Sequence, residues 1–345
     1  MLTSDFNFHL PAASIAQHAA ARGTSRLLVL NARGADRNRA VADLPEILRP
    51  GDLLVVNDTR VIPARLFARR ASTQSQVELL LVERHGLTEW DALAKPGKRA
   101  RVGERLLLGG AGEKAVLQVE VLAKAADGRH RVRFSEPIEP HLEELGHVPL
   151  PPYIKRSDDE ADRERYQTVF SRFDGAIAAP TAGLHFTPEI LDAARTRGIE
   201  ICTITLHVGI GTFKPVTAEL VHEHPMESER FEISADTATA IARTRALGGR
   251  IVAVGTTVVR TLEAAALATG EISPASGRTD IFITPGFRFR AVNVLLTNFH
   301  LPRSTLLMLV SAFAGRERVL AAYNEAIRAG YRFYSYGDAM LVDRA

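Results

Sequence analysis

The chain has 345 residues, 46% apolar and 24% charged, with a formal net charge of +3; that length suggests about two domains, and that apolar fraction a soluble globular protein with a substantial core. Cys202 is the only cysteine, which excludes disulfides within the chain, thiolate-held iron–sulfur clusters and multi-cysteine zinc sites. The pI near 9.1 is compatible with a polyanionic partner if the positive charges cluster on one face.

In chain order, the start MLTSDFNFHLP lacks a basic stretch followed by an apolar one, so export is not expected. Residues 53–56 read as a buried strand ending in the polar turn Asn57-Asp58-Thr59-Arg60, and Pro63 marks a restart. From there to about Phe134, short alternating stretches such as VELLLVE, VLQVEVL and HRVRF form a small all-β module. Pro149, Pro151 and Pro152 favour a stiff, extended connector, and the charged run 155–165 is a solvated helix or loop.

Beyond Ala176, helices and strands alternate. Thr187 and Pro188 open a helix over 189–197, Gly198 closes it, and a buried strand follows over 199–206. Helices are expected over 235–247, 258–268, 304–314 and 318–328, with strands over 250–254, 280–283, 292–296 and 332–336. The apolar run 306–314 is interrupted by Ser311 and is too short to span a bilayer. This alternation predicts an α/β core with a mixed sheet, residues 1–60 and 152–345, with 61–151 inserted.

The chemistry concentrates at predicted sheet edges. AAPTAGLHF places Thr181, Gly183 and His185 together, and TLHVGIGTF places His207 beside Gly209, Gly211, Thr212 and Phe213. Glycine lets a backbone approach a ligand closely while imidazole supplies an acid or base, and open α/β sheets bind ligands at the C-terminal strand edge. Gly255, Thr256 and Thr257 precede a helix bearing Arg260, a start suited to an anionic group, although the spacing is not a dinucleotide fingerprint. Asn298, Phe299 and His300 offer hydrogen bonds and an aromatic ring for a base or an amino acid, with Asp280 or Asp338 as a carboxylate partner for a histidine. Lys95, Lys98, Arg99 and Arg101 surround a Pro-Gly turn, either to contact phosphates or as a solubilising loop. His222 and His224 form an H-x-H pair with zinc-ligand character, read in preference as part of a polar loop.

The ordered motifs NDTRVIPARL, KPGKR, PLPPYI, RYQTVF, AAPTAGLHF, TLHVGIGTF, AVGTT, TNFHLP, STLLMLVSAFAG and YRFYSYGDAM closely resemble the S-adenosylmethionine:tRNA ribosyltransferase-isomerase family over nearly the whole length. The match is weakest at the N-terminus, where Asn38 and Val41 depart from the family pattern, and Glu227 replaces a common histidine.

The resemblance implies a cytoplasmic bacterial enzyme of queuosine synthesis with an α/β core and an inserted β-barrel-like domain. It implies transfer and isomerisation of the ribosyl portion of S-adenosylmethionine onto the aminomethyl group of the prequeuosine base at the tRNA wobble position. Epoxyqueuosine forms, and adenine and methionine leave. S-adenosylmethionine is then a co-substrate, with no metal or redox cofactor and no obligate protein partner. His185 is the expected base, with His207 and His300 as alternatives; the glycine and threonine turns would line the cavity, and the cationic hairpin, with Arg60, would contact tRNA. Two other classes compete: a metal-dependent hydrolase built on His222 and His224, and a tRNA-binding module without catalysis.

Overall fold

Runs buried at every position, such as LLVVN in Leu53–Asn57, IVAV in Ile251–Val254 and VLLTN in Val294–Asn298, leave no solvent-facing side for a strand, so they pair in parallel beneath helices. The computed structural model describes residues 1–31, 34–109, 117–213 and 216–345, without the side chains of Thr212 and Phe213. Those two side chains, named above as candidates, therefore lie outside the described residues.

The chain divides into two compact units, one of Met1–Arg60, Pro152–Arg156 and Glu164–Ala345, the other of Val61–Pro151 and Ser157–Arg163. The first holds a 9-stranded mixed sheet. Its strands are β1 (Arg26–Asn31), β2 (Gly34–Ala40), β3 (Leu53–Asn57), β4 (Glu200–Leu206), β5 (Glu229–Ile233), β6 (Ile251–Val254), β7 (Ala275–Thr279), β8 (Val294–Asn298) and β9 (Ala339–Asp343). They lie side by side in the order β7-β5-β4-β3-β6-β8-β9-β1-β2.

Neighbours β4, β3, β6 and β8 are parallel, so their C-terminal ends share one rim. β9 runs antiparallel to β8 and parallel to β1.

Helices α1 (Pro188–Thr196), α2 (Ala235–Ala246), α3 (Thr256–Ala266), α4 (Thr305–Ala314) and α5 (Arg316–Arg328) are the longer helices of this unit. Side-chain oxygens of Thr187, Ser234 and Ser304 accept amide hydrogens at the starts of α1, α2 and α4. On one face of the sheet Leu54, Val56, Val252 and Leu296 pack with Phe186, Ile190 and Leu191, so burial of the sheet fixes the segment around His185 as well.

In the second unit six antiparallel strands close on themselves, because Arg65–Arg70 pairs with both Gln76–Arg84 and Arg105–Leu108. Alternate residues, among them Leu79, Leu81, Val119, Val121 and Val132, fill the interior. A mixed-sheet α/β core and a small β-barrel are the fold class that the sequence predicts.

Several elements differ from expectation. The edge strand β7 occupies Ala275–Thr279 rather than 280–283, although its sequence ASGRT has poor β propensity; pairing with β5 along five residues holds it. The strand expected over 332–336 is instead a buried aromatic turn. Tyr334 there has φ 76°, and a Cβ on Gly337 would lie 2.5 Å from the Arg332 carbonyl oxygen, so the segment folds too tightly to extend. The final strand is β9, a few residues later. The polar stretch after His224 contributes β5, and β1 and β2 were not anticipated.

Candidate functional site

The ends of parallel strands β3 and β4 are tied together by the last side chain of β3 and the first of the turn after it. Asn57 donates through Nδ2 to the Leu206 carbonyl (2.9 Å) and accepts from the Leu206 amide (3.1 Å), and Thr205 Oγ1 donates to Asp58 Oδ1 (2.7 Å). Burial raises the pKa of the Asp58 carboxyl. The rim is therefore fixed before any ligand arrives.

A cavity of about 370 Å³ opens at this rim. Thr181, the Gly255-Thr256-Thr257 turn and the segment Asn298-Phe299-His300 all reach its wall, together with Tyr153, Tyr166 and Tyr334. Gly255 has φ 93°, a backbone state open to glycine at little cost, and it redirects the chain from β6 into α3 so that the free amides of that helix face the rim. Tyr153 and Tyr334 stack with ring centroids 3.9 Å apart, and the Tyr153 hydroxyl is hydrogen-bonded to Ser335. Tyr334 keeps a left-handed backbone, a strained state that Asn298 supports by donating through Nδ2 to the Tyr334 carbonyl (3.0 Å).

Of the three histidines, His300 lies on the cavity wall. Its Nε2 is 2.8 Å from Thr297 Oγ1, and its amide donates to the Tyr323 hydroxyl (3.1 Å). Burial pushes its pKa down to about 3. His185 sits one layer behind, beside a small pocket with Arg22 and Arg165, and its ring interacts with Asn298. Its pKa falls to about 4, chiefly through burial, with Arg332, Arg22 and Arg165 adding repulsion. His207 is not on the wall either. Its Nδ1 is 2.9 Å from Thr59 Oγ1, the ring packs on Gly175, and burial with Arg230 lowers its pKa to about 4. All three imidazoles are therefore neutral at pH 7.

The other expected residues either back the wall or lie apart from it. Phe299 contributes to it but is fully buried among Tyr323, Tyr331 and Phe333, so its ring backs the cavity rather than offering an open face. Gly183 is a packing position, since a Cβ there would meet Thr168 Cγ2 at 2.8 Å. The Gly209 amide donates to Glu229 Oε1 (2.9 Å), and Gly211 lines a small cavity that shares Arg260 and Leu306 with the large one. Asp280 is exposed and bonded to none of the three histidines, and Asp338 accepts the Arg26 and Arg332 amides, a structural role. Among the described residues no three His, Cys, Asp or Glu side chains gather at metal-binding distance, His222 and His224 included.

In the second unit Lys95, Lys98 and Arg101 are exposed, and Arg99 donates to the Gln76 carbonyl (3.0 Å). Arg60, in the first unit, is exposed and 3.5 Å from Asp174. The tyrosines of the wall were not singled out in the sequence; their only signal is that Tyr153, Tyr166 and Tyr334 each fall inside a quoted motif.

The family described as queuosine biosynthesis protein matches residues 3–342. A protein of Moorella thermoacetica named S-adenosylmethionine:tRNA ribosyltransferase-isomerase is 52% identical over 99% of this chain and 100% of its own length. One of the same name from Pelobacter propionicus is also 52% identical over the same shares. A crystal structure titled S-adenosylmethionine tRNA ribosyltransferase, from Thermotoga maritima, is 37% identical and superposes with a TM-score of 0.56, covering 98% of this chain and 100% of that one. Among the described residues no helix is long and apolar enough to cross a membrane.

Proposed function

The chain belongs to the queuosine biosynthesis protein family and is an enzyme, a tRNA ribosyltransferase-isomerase, and on that premise we propose that it moves the ribosyl group of S-adenosylmethionine onto the aminomethyl arm of the prequeuosine base at the tRNA wobble position. Epoxyqueuosine-tRNA, adenine and methionine are the products, and S-adenosylmethionine is a co-substrate with no further cofactor. The cavity at the parallel strand ends carries this reading, since its volume and its mixture of tyrosine, threonine and histidine suit a nucleoside-sized ligand.

The sulfonium acidifies the neighbouring ribose C–H. Transfer of that proton to a neutral imidazole moves one positive charge without creating another, so a low-dielectric site is not asked to separate charge. We assign this step to His300, the one of the three histidines that borders the cavity; burial leaves it unprotonated at pH 7 and also makes it a weak base, so its reach depends on how far the sulfonium acidifies the C–H. Asn298 and, behind it, His185 position the wall. Adenine then departs with a proton, the ring opens, the neutral tRNA amine attacks the exposed carbon, and epoxide closure expels methionine. The wobble base must leave the anticodon stack to reach such a cavity, so its backbone needs its own contacts, which Lys95, Lys98, Arg101 and Arg60 would supply.

The test is chromatography of enzyme mixed with S-adenosylmethionine and precursor tRNA. Free adenine is expected with the precursor and not with tRNA lacking the modified base; absence of adenine in both removes this reading.

A further inference from the structure

One buried cation has an arm left over. Arg260, in the second turn of α3, is 6% exposed and lies on the wall of the large cavity, four residues from Thr256 on the same helix face. Its Nη1 is ion-paired with Glu229, and its Nε reaches the Ile281 carbonyl at 3.3 Å. The remaining nitrogen, Nη2, is buried and has no hydrogen-bond partner among the described residues. Glu229 is itself anchored by the Gly209 amide, so the guanidinium is held from behind in one orientation.

A buried N–H without an acceptor is costly, and a guanidinium held by one carboxylate has a free edge for a second. The same wall carries the first residues of α3, Thr256 and Thr257, and amides at a helix start have no partner within the helix and attract negative charge. Both donors thus border the large cavity, Arg260 standing where it adjoins the small cavity of Gly211 and Glu229, and Tyr153 and Tyr334 stack on the same large wall. We propose that Arg260 and the start of α3 form the subsite that binds the α-carboxylate of the methionine portion of S-adenosylmethionine.

This subsite rests on the cavity being the S-adenosylmethionine site. A carboxylate suits it better than a phosphate does. The doubly charged phosphate would face Glu229 across the guanidinium, whereas the amino acid brings its own ammonium to balance the charge. Holding the carboxylate would also keep the sulfur still while the ribosyl carbons rearrange, because methionine is the last group to leave.

The test compares binding of S-adenosylmethionine with that of its decarboxylated analogue, which keeps adenosine, sulfonium and amine. The wild-type enzyme is expected to prefer S-adenosylmethionine by about 10–100-fold, the range for a charge-assisted hydrogen bond at a buried site. Arg260→Lys keeps a cation for Glu229 and loses the fork; its preference is expected to fall to within about threefold, with affinity for the analogue unchanged and folding verified by circular dichroism. Equal wild-type affinity for the two ligands overturns the subsite and leaves the cavity assignment standing. A full preference retained in Arg260→Lys overturns the role of Arg260. Failure of the wild type to bind either ligand overturns the underlying assignment of the cavity.

Discussion

His185, His207 and His300 stay uncharged because burial disfavours imidazolium, with pKa values near 4, 4 and 3 against an ordinary 6.5. Below pH 6.5 the unfolded chain binds protons that the folded chain refuses. The stability these groups contribute is therefore full above about pH 6.5 and is lost as pH falls toward 4. Urea denaturation at pH 7 and pH 5 should show a lower midpoint at pH 5, and His300→Gln should reduce that difference. The same variant keeps a hydrogen-bonding group near Thr297 but removes the proton acceptor, and adenine release should slow by about 10²–10⁴-fold. Release at the parent rate, from a variant with the parent's circular dichroism, would take His300 out of the reaction. At this scale the sequence reveals which residues carry chemistry and not which way they face. His185 and His300 stand in equally suggestive motifs, and what separates them is a single layer of side chains, with Asn298 between His185 and the cavity. That layer is set by packing of the segment 178–186 on the sheet, which no local pattern encodes.

Elements with strong local signals are legible, and those held by their neighbours are not. The helix after Thr187 is written in its cap, in Pro188 and in its apolar face, and it forms where expected. β7 has no such signature and exists because β5 offers it an edge. The aromatic run 331–336 mimics a strand until the left-handed Tyr334 is seen. Where β3 and β6 begin, Arg250 makes two hydrogen bonds to Asp52, at 2.9 and 2.6 Å, and Asp52 is 2% exposed. Removing the arginine would leave the buried carboxylate with only the Arg49 amide as a partner, so Arg250→Ala should lower unfolding free energy by about 3 kcal/mol in a urea titration. Loss below about 0.5 kcal/mol would mean that water reaches the carboxylate in the variant.

Across the whole molecule, every lining residue of the large cavity belongs to the first unit, whereas Lys95, Lys98 and Arg101 belong to the second. A triple alanine variant of those three should bind S-adenosylmethionine as the parent does. Its tRNA affinity should drop, and the slope of log affinity against log salt should shrink by roughly 0.7–0.9 for each phosphate contact removed. An unchanged slope would return the three cations to the role of a solubilising loop. Charge alone could not separate these readings in the sequence, because exposure leaves both open.

β9 is threaded between β8 and β1, so two interior edges stay open until residue 343 has been made and has left the ribosome. Asn298, which donates to the Tyr334 carbonyl on the cavity wall, is the last residue of β8 and pairs with Ala339 of β9, so that wall lacks its flanking strand until β9 is in place. A chain that lacks β9 would carry a pair of unsatisfied strand margins, a template for clumping that proteases and chaperones must clear.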